Sequence, residues 1–260
     1  MVLCAIISLA LSSASYAQLS TQAPIYGHVQ DFSKEILVSA VATSERANNF
    51  VSQKNYFQAL QEYETFLHRS EGVPDVLMTY PVLLAFAGAH LEAAFDRVMY
   101  SGSSPDLQHN QTLYEQNKLA INDHIANVIP LVKKAVDQAN ATGMDEPDKN
   151  RFQCIAREKI IAAFSLHGIV NSVLEDLDNG IQGYEQYGAC IPDSKRAIQY
   201  LKGVRASISN SPLSADSMVK DVSLFVKETV PHGNIFGTCI DIAYDFYKKI
   251  NPLAPDILPR

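Results

Sequence analysis

Few residues of this chain are spaced to do chemistry. His90 and Glu92 stand two apart, and Asp123 and His124 are adjacent. Residues at such spacings do not share a helix face, so neither pair is expected to hold a metal. His167, next to Gly168, reads as a core histidine bonded to a helix carbonyl. Glu175 with Asp176, and Asp216 with Asp221, read as solvated charges at helix ends. There is no Gly-x-Ser-x-Gly, no glycine-rich phosphate loop and no His-Glu-x-x-His. No catalytic, cofactor-binding or metal-binding residue is assigned on this basis, and a helical enzyme is the least favoured reading.

Cysteine chemistry is confined to Cys154, Cys190 and Cys239, because Cys4 falls in an apolar leader. Their separations of 36 and 49 residues exclude a Cys-x-x-Cys zinc or redox motif. In an oxidising compartment one pair can bridge and leave one thiol free. Cys190 with Cys239 is the pairing expected, both lying near helix ends in the C-terminal third; the alternative is three small buried apolar side chains. Asn110-Gln-Thr112 and Asn140-Ala-Thr142 fit the N-glycosylation pattern, in or beside turns.

The elements that would position these residues are all helices. Apolar spacings of three and four predict helices over 33–53, 56–68, 81–100, 106–139, 151–174, 176–190, 193–208, 214–230 and 235–250. Pro130 is expected to kink or break the fourth. Ala85, Ala89 and Ala93 form a small-residue stripe suited to close helix contact. No stretch alternates as a strand does. The helices group into antiparallel hairpins over 33–70, 75–139, 150–190 and 193–250, stacked as an α-solenoid or a compact helical array.

Two of these hairpins carry one pattern. Residues 55–67 read NYFQALQEYETFL and 176–187 read DLDNGIQGYEQY, aligned without a gap at an offset of 121. Ala59 meets Gly180, Tyr63 meets Tyr184 and, upstream, Ala47 meets Gly168. These positions resemble the tetratricopeptide repeat, whose small residues let two helices approach while an aromatic wedges against the next hairpin. Pro192 closes the second copy in register, whereas Glu71 stands at that place in the first and Pro74 follows three residues later. The resemblance covers roughly 70 residues. It implies a groove lined by the first helix of each hairpin, where Asn48, Asn49, Gln53, Asn171 and Glu175 would face a ligand.

Residues 1–17 read as a secretory signal peptide: an apolar run from Val2 to Leu11, then Ser15-Tyr16-Ala17 with cleavage after Ala17. Residues 18–30 would follow as a flexible segment, 31–250 as one helical domain and 251–260 as an extended proline-rich tail. No later apolar stretch is long enough to insert in a membrane. The net charge of −7, with acids and bases interspersed, argues against a nucleic-acid partner. The resulting expectation is an exported, periplasmic or secreted helical-repeat protein that binds a protein or peptide and needs no cofactor. The alternative is a periplasmic accessory subunit handling a small ligand. A repeat hairpin, the alanine-striped helix and a Tyr114-containing helix, in that order, resemble the T component of TRAP-type transporters.

Overall fold

The computed structural model describes residues 39, 42–71, 80–104, 106, 110–140, 146–191 and 194–210. Among them are seven helices and no strand, so the chain is all-α. Helix α1 covers 42–52, α2 Tyr56–Ser70, α3 Tyr80–Ser103, α4 Gln111–Asn140, α5 Glu146–Asn171, α6 Leu174–Tyr187 and α7 Ser194–Ile208. The expected leader, the segment 18–30, the tail 251–260, Pro192 and Cys239 lie outside the described residues. No described helix is long and apolar enough to cross a membrane.

Most of the helices owe their place to one buried stripe. Ala59, Tyr63, Phe66 and Ser70 recur at four, three and four on α2. Ile121, Ile125, Val128, Val132, Ala135 and Ala139 do the same along α4. Asn110 caps α4 by accepting the Leu113 amide at 3.2 Å. Pro130 does not break α4. Its missing N–H would have served the carbonyl of Ala126, and both residues face solvent, where water satisfies that oxygen.

Helix α3 differs, because every residue from Val82 to Leu91 is buried. Its Val82, Ala85, Phe86 and Ala89 join Ala47, Ala59, Tyr63 and Phe66 of the first hairpin in one apolar cluster. Leu83, Leu84, Ala87, Leu91, Ala94 and Val98 enter a larger cluster with α4 to α7. From α2 onward each helix packs on its successor, and α3 also meets α5.

The two matched copies bury corresponding side chains but do not turn at corresponding residues. Lys54 (φ 59°) and Ser172 (φ 57°) take the left-handed conformation that ends the first helix of each hairpin. The next amide then bonds five residues back, Asn55 N to Phe50 O at 2.8 Å and Val173 N to Gly168 O at 3.0 Å, as in a Schellman turn. These turns lie 118 residues apart (172 − 54), against 121 for the side-chain pattern. A slip of three residues turns a helix by about 300°, so the buried stripe shifts by only about 60°. The small residues of the second copy sit where α5 and α6 approach closely. A Cβ on Gly168 would lie 2.8 Å from the Leu177 backbone nitrogen, and one on Gly180 would strike Ser165 Oγ.

The cysteines also pair otherwise than expected. Cys190 is bonded to Cys154, not to Cys239, with Cα atoms 6.2 Å apart. The reason is hairpin register: folding α5 against α6 about Ser172 places 154 opposite 190, just as it sets the Arg157 guanidinium over the Tyr187 ring at 4.2 Å.

Two glycines should respond oppositely to alanine. Gly168→Ala forces α5 from α6 and should cost about 1–3 kcal/mol. Gly203→Ala meets nothing within 4 Å and should gain about 0.5–1 kcal/mol. Urea unfolding of the two variants measures the contrast. In the same assay, Cys154→Ser with Cys190→Ser should cost about 2–4 kcal/mol, from the entropy the bridge removes from the unfolded chain.

Candidate functional site

A cleft of about 440 Å³ lies between α1 and α2, within the usual size range of ligand pockets. Thr43, Arg46 and Phe50 line it from α1, together with Ser39, and Gln58, Gln61, Glu62, Thr65, Phe66 and Arg69 from α2. Both sets follow helical spacing, so each helix offers this stripe beside the one it buries. Buried Thr43 and Phe66 form the floor, and exposed amides and charges the rim. Arg46 directs Nε and Nη2 to Glu62 Oε2 at 3.0 and 2.9 Å, and Nη2 also reaches Thr43 Oγ1 at 3.4 Å. Arg69 has no ionic partner among the described residues. Two cations against one anion make the cleft positive in a chain whose net charge is −7.

The residues expected to line a groove fall into two groups, joined by no hydrogen bond or ion pair among the described residues. Asn48 accepts the Tyr63 hydroxyl at 3.4 Å. Asn49 is exposed and accepts the Gln53 amide at 3.1 Å. Asn171 is committed elsewhere: it and Asn122 exchange amide bonds of 3.0 and 2.8 Å across the α4–α5 contact. It also donates to the His167 carbonyl at 3.1 Å. Glu175 is exposed in the first turn of α6, where the helix dipole favours it. His167 does not bond a helix carbonyl through its ring; its Nδ1 meets the Asp176 carboxylate, which is therefore not a free helix-end charge.

The structure also makes two pairings that sequence neighbours hide. His90 of α3 and His124 of α4 meet Nδ1 to Nδ1 at 3.1 Å, and the His90 ring also packs on Phe86. The ring centres are 5.4 Å apart, 2.3 Å more than the nitrogens (5.4 − 3.1), which is one ring diameter. The two nitrogens thus lie on the line joining the rings, the arrangement of a shared proton. A chelated metal would need both lone pairs to converge on a third point. Burial, then the neighbouring His124, pushes the His90 ring down to about 4, with Asp123 opposing. His124 is lowered by burial and then by Arg97, again against Asp123.

The second pairing is Lys159 of α5, a buried lysine whose Nζ comes within 3.0 Å of where a Cβ on Gly88 would stand. Burial raises the Glu92 and Glu158 carboxyls beside it, and Lys159 partly offsets both. Burial likewise raises the Tyr63 hydroxyl, with Glu92 adding to it.

Asn171→Ala should therefore act on stability rather than on binding. It leaves the half-buried Asn122 amide without its partner and should cost about 1–3 kcal/mol. A double-mutant cycle with Asn122→Ala should show a coupling of about 0.5–3 kcal/mol by urea unfolding. Comparison with family models, with curated proteins and with solved structures gives no match for this chain.

Proposed function

We infer that this chain is an exported, non-catalytic stack of helical hairpins, similar in plan to tetratricopeptide-repeat proteins, that binds an extended acidic segment of another protein. The observation that supports this reading is the positive, amide-rimmed cleft between α1 and α2. Gln58 and Gln61 offer side-chain amides that can both give and accept bonds, which suits a peptide backbone. Arg69 is placed for a ligand carboxylate, and Arg46, already held by Glu62 and Thr43, is preorganised for a second. Phe50 and Phe66 give apolar contact beneath them. The site lies in a single hairpin, away from Asn171 and Glu175.

Selection from a random peptide library should return sequences rich in Asp and Glu. A labelled peptide of that consensus should bind, by fluorescence anisotropy, at least tenfold more weakly to Arg46→Glu combined with Arg69→Glu. Circular dichroism of the variant should be unchanged, since both side chains are exposed. A basic or purely apolar consensus, or equal binding by the variant, would remove the cleft as the site.

A further inference from the structure

We propose that His90 and His124 form an acid-released latch between α3 and α4, closed while the two rings share one proton between their Nδ1 atoms and opened when both Nδ1 atoms are protonated. The geometry carries this. At 3.1 Å and in line, one Nδ1 must bear hydrogen and the other must be bare. The neutral pair therefore holds two protons on its four ring nitrogens, one of them between the rings. A third proton enters at the donor ring's Nε2 and leaves the bridge intact. A fourth has only the accepting Nδ1 left and sets N–H against N–H, so the closed pair excludes it.

The latch has little room to give. His90 is 5% exposed and packed against Phe86, whose ring in turn packs on Tyr63 of α2. Burial is the largest influence on the pair, and the charged groups around it add to that or oppose it. Asp123 on α4 favours the charged form, whereas Arg97 on α3 opposes it at His124. On the α5 side buried Lys159 lies against Gly88, two residues before His90. Arg97 adds to the desolvation, and the native pair resists protonation.

An unfolded histidine titrates near 6.5, while His90 in place is held down to about 4. Between those values the open state binds more protons than the closed one. The latch is therefore fully stable above about pH 6.5 and weakens as pH falls towards 4, by about tenfold in its opening equilibrium per pH unit. Glu92 and Glu158, raised by burial, act in the opposite sense, so the pair must be read by difference.

Hydrogen exchange, corrected for intrinsic rates, tests this on the intact protein at pH 7 and pH 5. Protection of the segments around 86–98 and 117–128 should fall at least tenfold more on acidification than protection of α6. That excess should disappear in His124→Gln, a change on the more open ring. A nitrogen-15 spectrum of the native protein at pH 7 should show one ring as the Nδ1–H tautomer and the other as Nε2–H, a reading that does not depend on any variant folding. Two Nε2–H rings, equal loss of protection in α6, or an unchanged excess in His124→Gln would each overturn the latch.

Discussion

The fold depends on one constraint: α3 must be surrounded. Its run from Val82 to Leu91 leaves no residue for water, so three neighbours have to cover it. Small side chains make that possible. Ala85 and Ala89 admit the first hairpin, Ala87 and Ala94 admit the larger core, and Gly88 leaves space for the lysine of α5. At about 25 cal/mol per Å² of apolar surface, burying such a run contributes strongly to stability. Helix α5 is enclosed in turn, with eight of its residues 161–170 buried, and α2, α4, α6 and α7 are amphipathic in the ordinary way.

Polar groups inside this packing act chiefly on register. A seam of alanines and leucines tolerates sliding by a turn, because neighbouring apolar rows are nearly equivalent. The Asn122–Asn171 exchange and the His90–His124 contact each have one arrangement in which their atoms are satisfied. Displacement by a single turn would bury unpaired donors and acceptors, at about 1–3 kcal/mol for each group. They fix α4 against α5 and α3 against α4.

The helical class and the buried stripes were legible because they rest on local spacing. The alanine stripe of α3, and Ala59, Tyr63, Gly180 and Tyr184, are buried. What depends on loop geometry was not. Placing the turn between the third and fourth expected helices at Ser101–Pro105 would centre the hairpin near position 103, but helix α3 continues to Ser103. His90 with His124, and Arg97 with Asn117, are both symmetric about position 107. An error of four residues in a turn centre moves every cross-helix partner by eight, which hid both pairs. The Cys154–Cys190 bridge follows the same arithmetic about position 172, and reasoning from proximity to helix ends could not find it. The cleft was missed because its residues are ordinary surface polar types whose meaning comes only from how two helices lie side by side.

That bridge also decides what a protease can accomplish. Cys154 and Cys190 stand on either side of the Ser172–Val173 turn, the one covalent connection between α5 and α6 besides the bridge. A single cut there severs the chain without releasing either piece, since the sulfur link and the facing surfaces of α5 and α6 still hold them. The hairpin would behave as a clasp whose hinge is expendable. Reduction after cleavage would leave only the helix contacts to hold the fragments, so in an oxidising environment this hairpin has a covalent safeguard against such damage that the cysteine-free first hairpin lacks.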